Sequence, residues 1–224
     1  MKKELINYFE GLKNEKLPMI GRRYAEDGVV IRKFRNREFD VGYDHVHTYL
    51  FDDKPMCVKE MSSCNEDGGD VFEIVSGDYF NSVGCLSVVG YPMDLVLRGN
   101  YTGQEYFHFG VATHHLKGIG EIEVCPAGYV LYPNAQPPTN MSKDSWYLLE
   151  DSKLKERLLK IITPECFDEY IKLFLADRVG GYCDRRLGNY FFYRENGSRK
   201  WEGLIAIDNA MTTTGLILNE KIIK

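Results

Sequence analysis

Residues 190–208 read YFFYRENGSRKWEGLIAID, an aromatic run, an Asn196-Gly197 turn and a second apolar run that stops at an aspartate. Asn-Gly between two apolar runs is the strongest short-range hairpin signal a sequence offers, because both residues accept the backbone angles that a tight turn between twisted strands demands. Just upstream, TPECFDEYIKLFLADRVG (163–180) predicts a helix. Thr163 is its N-cap and Pro164 its first helical residue, with Glu165 and Asp168 in the first turn. Phe167, Tyr170, Ile171, Phe174 and Leu175 form its apolar stripe, and Gly180-Gly181 ends it. Helix and hairpin are joined by GYCDRRLGNYFF (181–192), in which Asp184, Arg185, Arg186 and Asn189 crowd against aromatic residues.

The rest of the chain supplies an order of elements. Leu5, Ile6, Tyr8, Phe9 and Leu12 share a helical face. DGVVIRKF (27–34), HVHTYLF (45–51) and PMCVKEM (55–61) are short β-branched or alternating runs that predict an antiparallel meander. Val71, Phe72, Val75, Tyr79 and Phe80 predict a helix with Asp70 as its cap, and strands follow at 86–90, 94–98, 105–112 and 120–124. PAGYVLYPNAQPPTN then reads as a loop, and DSWYLLEDSKLKERLLKII as a further helix. The expectation is an α+β chain of two lobes. Residues 1–128 carry the leading helix, an antiparallel sheet and one helix, and residues 129–224 form a mainly helical lobe bearing the hairpin.

With 224 residues, 44% of them hydrophobic, the chain can bury one substantial core or two small ones without disulfides. A net charge of −5 argues against a polyanion held by bulk electrostatics, so nucleic acid is not an expected partner. No apolar run is long enough for a signal peptide or a membrane span, and the six cysteines include no CxxC pair. The expectation is a cytoplasmic protein with reduced, mostly buried thiols. His45 and His47 share a strand face and His114-His115 could approach them, but no third ligand is suitably spaced for zinc. Neither a G-x-S-x-G nor a cysteine with a histidine at a recognisable offset is present, which ranks hydrolases low.

Chemistry concentrates around the hairpin. Strand pairing returns Asp208 towards Asn189, and a carboxylate beside an amide oxygen suits a hard ion such as Mg²⁺. Asp184, five residues before Asn189, is then placed to orient or deprotonate a hydroxyl, the D-x-x-x-x-N spacing of phosphotransferase loops. Upstream, strand residue Lys59 and helix residue Glu73 form a lysine–glutamate pair able to hold nucleotide phosphates. Each has a plainer alternative: a solvated ion pair for Asp184 to Arg186, a capping role for Asp208 ahead of Thr212 to Thr214, and exposed strand or helix-start positions for Lys59, Glu60 and Glu73.

Taken together, VKE, the helix glutamate, CDRRLGNYFF and LIAIDNA resemble the protein-kinase-like superfamily, specifically HipA-type bacterial kinases and type II phosphatidylinositol 4-kinases, over roughly residues 25 to 212. Those groups carry a D-R-x-x-x-N loop, a hairpin and a metal-binding aspartate in this order. The resemblance implies a two-lobed kinase-like fold that uses ATP and Mg²⁺ to phosphorylate a hydroxyl, a protein Ser/Thr ahead of a lipid or small molecule. It implies that Lys59 holds the α- and β-phosphates, Glu73 steadies Lys59, Asp184 faces the acceptor, Asn189 and Asp208 bind Mg²⁺, and Arg185 fixes the catalytic loop or an adjacent segment. Backbone groups near 125 to 131 would serve the nucleotide base.

Two features depart from that pattern. No G-x-G-x-x-G precedes Lys59, and the chain ends sixteen residues after Asp208. A minimal kinase, a fragment, a fold completed by a partner chain and a non-catalytic nucleotide-binding or scaffold domain all remain open at this point.

Overall fold

The computed structural model describes residues 2–14, 24–25, 46–51, 54–61, 69–98, 105–114, 116, 122–134, 152–182 and 185–209. They fall into two compact units, one formed by residues 1–74 and 88–120, the other by residues 75–87 and 121–224. The architecture is α+β.

The first unit opens with α1 (Lys2–Asn14), whose Leu5 and Phe9, one turn apart, are fully buried. Five strands follow: β1 (Tyr24–Ala25), β2 (Val46–Phe51), β3 (Lys54–Met61), β4 (Tyr91–Arg98) and β5 (Glu105–His114), in the sheet order β1-β4-β5-β3-β2. β2 and β3 pair antiparallel with Phe51 opposite Lys54, and β5 lies antiparallel to both β3 and β4. The sheet is not wholly antiparallel, since β1 runs parallel to β4 with Tyr24 opposite Val96. The expected strand at 27–34 lies outside the described residues.

α2 spans Gly69–Ser82, so Asp70 falls within its first turn and not at the cap. The five residues 86–90, expected as a strand, form none. Asn81 explains this: its side chain accepts from Ser87 N (3.0 Å) and donates to Ser87 O (3.1 Å), taking both groups a β-partner would use. What remains is one parallel bridge between Ser87 and Ala206, with Ala206 N donating to Leu86 O at 2.8 Å.

In the second unit β6 (Ile122–Pro126), β7 (Tyr190–Glu195) and β8 (Gly203–Ala206) make an antiparallel sheet with β7 in the centre. The expected hairpin is therefore part of a three-stranded sheet, and Val124 of β6 lies opposite Tyr193. The proline-rich stretch does not begin as a loop: Pro126 leads into α3 (Ala127–Leu131), whose first and last residues are both fully buried. Proline at a helix entrance lacks only an N–H the helix would have left unpaired.

α4 (Ser152–Ile161) and α5 (Pro164–Gly180) complete the unit. Thr163 caps α5 as expected, its hydroxyl oxygen accepting from Cys166 N at 3.1 Å, and Gly181 ends it in the left-handed conformation, φ 73°. The apolar stripe is shifted, however. Leu175 is 61% exposed, and the buried face runs through Cys166, Tyr170, Leu173, Phe174 and Asp177. An aromatic chain extends from α5 across the sheet: Phe174–Tyr170 at 4.4 Å between ring centroids, Tyr170–Tyr190 at 6.2 Å, Tyr190–Phe192 at 5.9 Å and Phe192–Trp201 at 6.2 Å. Such pairs add to area burial by about 0.5–1.5 kcal/mol each.

Between β7 and β8 the chain turns at Gly197 (φ 87°), then detours so that Trp201 N donates to Ile161 O (2.9 Å) and Trp201 O accepts from Thr163 N (2.8 Å). The hairpin loop is thereby tied to the α4–α5 junction. Gly203 sits under the ring of Tyr193, where any Cβ would collide with it. Glu169 of α5 accepts from Leu204 N at 3.2 Å, occupying a backbone donor of β8. Among the described residues no helix is long and apolar enough to cross a membrane.

Removing the α5 cap with Thr163→Ala is expected to cost about 1 kcal/mol of unfolding free energy in urea denaturation, while Thr163→Ser retains most of it.

Candidate functional site

Where α5 stops, Tyr182 N donates to Asp177 O at 2.8 Å, and the left-handed Gly181 turns the chain back along the last helical turn. That reversal places Arg185 against Asp177. Both are buried, at 4% and 0% exposure.

A guanidinium carries five N–H donors and no acceptor, so taking it out of water demands five partners. Arg185 finds them. Nε donates to the Asp177 carboxylate at 3.2 Å and Nη2 to the same carboxylate at 3.1 Å. Nη1 donates to Asn189 O (2.8 Å) and Ile207 O (2.9 Å), and Nη2 also to Asn209 Oδ1 (2.9 Å). One face of the group lies over the Phe80 ring, 5.1 Å from its centroid.

These bonds join three pieces of chain: the end of α5, the loop before β7 and the exit from β8. The loop is closed on itself by Asn189 N donating to Arg186 O (2.9 Å), and it is joined to the exit by Ile207 N donating to Asn189 O (3.1 Å). Asn189 and the residue preceding Asp208 thus share a backbone hydrogen bond and a common guanidinium. Asp208 itself has φ 47°, alone among described non-glycine residues in being positive. That conformation costs about 1 kcal/mol for a residue with a side chain, and it persists only where its neighbours are held.

Of the residues singled out from sequence, Asn189 (8% exposed) and the partly exposed Asp208 are brought to one end of the β7–β8 pair, beside Arg185. Arg185 is buried and engaged with protein groups throughout, the arrangement of a residue that positions others. Asp184 and Cys183 lie outside the described residues, as do His45 and His115. Lys59 occupies β3 between Val46 and Val111, and Glu73 lies early in α2; the side chains of both are outside the description.

Sequence reasoning missed Asp177, Asn209, Ser87 and Asn81. Asp177 had a signal: it falls at the i+3 and i+7 positions from Phe174 and Tyr170, on a stripe that is otherwise apolar. Burial pushes its carboxyl above the ordinary value, and Arg185 pulls it back only in part. Burial likewise raises the Tyr182 phenol, against a lowering hydrogen bond to Ser76, and the Tyr79 phenol, whose hydroxyl donates to Ala176 O at 3.1 Å. The fully buried Cys166 thiol is pushed far up by burial, then by Glu169 and Glu202, and is no nucleophile.

No family model matches the chain, and no curated protein matches it. Among solved structures it is similar to a Helicobacter pylori proinflammatory kinase, CtkA, with 18% identity and a TM-score of 0.49 over 75% of this chain. The match takes in 55% of that kinase chain, little more than half its length.

Asp177→Ala leaves the guanidinium unpaired in the interior and is expected to cost about 3–5 kcal/mol in chemical denaturation. A carboxyl whose folded-state pKa is raised binds its proton more tightly when folded, so its ionisation removes stability as pH climbs from the ordinary 3.8 through the raised value. Asp177→Asn lacks that ionisation. The stability of the natural chain relative to Asp177→Asn should therefore fall with rising pH across that window and level off above it.

Proposed function

We propose that the chain is a cytosolic phosphotransferase of protein-kinase-like fold, related to the HipA-type and type II phosphatidylinositol 4-kinase branch, that moves the γ-phosphoryl group of ATP to a hydroxyl, preferentially a protein Ser/Thr. The observation that supports this reading is the shared hold of the Arg185 guanidinium on the backbone carbonyls of Asn189 and Ile207, which ties the backbone of Asn189 to that of the residue before Asp208 at one end of the hairpin.

The Asn189 amide oxygen and the Asp208 carboxylate are an all-oxygen donor set, the chemistry a hard, octahedral cation such as Mg²⁺ accepts, so the residues present fit the ion. Bound there with ATP, Mg²⁺ would neutralise phosphate charge. The chain's own part is positioning. Asn189 and Asp208 supply the oxygens, Arg185 fixes the backbone of both segments, Asp184 orients the acceptor hydroxyl and takes its proton, and Lys59, steadied by Glu73, holds the α- and β-phosphates. Backbone groups near residues 125 to 131 receive the base.

A second reading, a non-catalytic nucleotide-binding or scaffold domain, is favoured by one sequence observation: no G-x-G-x-x-G precedes Lys59.

The two readings separate with labelled ATP, Mg²⁺ and a panel of protein, lipid and small-molecule acceptors. Phosphotransfer predicts a labelled acceptor or labelled enzyme, with Asp184→Ala and Asp208→Ala each lowering the rate about 10²–10⁴-fold. If transfer, autophosphorylation and ATP hydrolysis by the natural chain do not exceed those of the variants, the enzyme reading is lost. Mg²⁺-dependent thermal stabilisation by ATP without turnover then favours the binding domain.

A further inference from the structure

Asp208 is held in its left-handed conformation by its neighbours on both sides. Before it, Ile207 gives its N–H to Asn189 O and its carbonyl to Arg185. After it, the Asn209 side chain, 2% exposed, is gripped at both ends: Oδ1 accepts from Arg185 Nη2 at 2.9 Å, and Nδ2 donates to Ser87 Oγ at 2.8 Å. Ser87, fully buried, donates its own hydroxyl to Ala206 O at 3.3 Å, two residues before Asp208. Its backbone N–H and carbonyl are both held by the Asn81 side chain in the last turn of α2.

The result is a closed ring of hydrogen bonds around one residue: Arg185, Asn209, Ser87, Ala206, and back through Ile207 to Arg185. Ser87, Asn81 and Asn209 are neutral and bear no chemistry of their own. Burying such groups is favourable only when their partners are in place, so the ring has one low-energy arrangement and tolerates little slack. Every bond in it ends on residue 206, 207 or 209, within two positions of Asp208.

We propose that Ser87 and Asn209 are positioning residues for the Asp208 carboxylate, fixing its backbone so that the oxygen donor is preset for a divalent cation, and that Asn81 sets Ser87. The cation part rests on the phosphotransfer reading; the hold on the Asp208 backbone does not.

Two measurements on Ser87→Ala keep these apart. In the metal-free protein, the ¹³Cα and ¹³Cβ shifts of Asp208, which report its φ, should move towards those of ordinary backbone. In the presence of ATP, the Mg²⁺ concentration for half-maximal thermal stabilisation should rise about tenfold, the size expected from one lost buried hydrogen bond. Leu173→Ala, a core truncation in α5, serves as the stability control: it should lower the melting temperature and leave both readouts in place.

Unchanged Asp208 shifts in Ser87→Ala overturn the proposal. So does a Mg²⁺ requirement that stays put, or that Leu173→Ala raises equally, because a merely structural network would behave that way. If the natural chain shows no Mg²⁺-dependent nucleotide binding, the phosphotransfer reading and the cation half of the proposal fail together, and the Asp208 shifts decide for or against the backbone hold alone.

Discussion

Five N–H donors on a buried, permanently charged plane are the constraint around which the second unit is arranged. Arg185 satisfies all of them with groups from three separate segments, and no other common side chain would do so: lysine offers a point charge with three donors and cannot span a carboxylate, two carbonyls and an amide at once. The pair with Asp177 is not primarily a source of stability. The raised pKa of Asp177 means that desolvation outweighs the attraction of Arg185, the usual balance for a buried ion pair. What the arrangement supplies is a single answer to where the loop before β7 and the exit from β8 must lie. An alternative register would strand at least one donor, at a cost of about 1–3 kcal/mol or more for a charged group.

The strain at Asp208 follows from that fixed frame. A glycine there would adopt φ 47° freely, and an aspartate does so only because Ile207 and Asn209 are both anchored. Around this point the buried polar groups form a network and the apolar ones pack against it, with Phe80 on the face of the guanidinium and the aromatic chain from Phe174 to Trp201 below the strands. The local cost is carried by the rest of the unit.

The parts of this structure legible in the sequence are those whose cause is local. Thr163-Pro164 and Gly181 mark the ends of α5 because capping involves neighbours a few residues apart, and Asn196-Gly197 marks the hairpin for the same reason. The run 86–90 misleads because its apolar residues look like a strand, while the decisive partner is a side chain, Asn81, that supplies a strand's hydrogen bonds from a helix end. β1 pairs in parallel across more than seventy residues, a separation at which periodicity carries no information. For the candidate site, the D-x-x-x-x-N spacing and Asp208 stand out as titratable or chelating residues in a pattern. Asn209 and Ser87 do not, since neutral residues meeting at sequence separations of 24 from Arg185 and 122 from each other leave no signature along the chain.

Charge gives the last step. The Ile207 carbonyl held by Arg185 belongs to the peptide that enters Asp208, so a bare guanidinium there would compete for the Asp208 carboxylate as well. Asp177 removes that conflict by meeting Arg185 on its Nε and Nη2 edge, and Asn209, a neutral amide, stands on the side leading to Asp208. The same guanidinium can then organise the backbone without spending its charge on the site. A carboxylate at position 209 in place of the amide would undo this twice over, losing the donor to Ser87 and adding a second acid to compete for the arginine. Asparagine, with an oxygen for Arg185 and an N–H for Ser87, is the side chain that meets both partners at once.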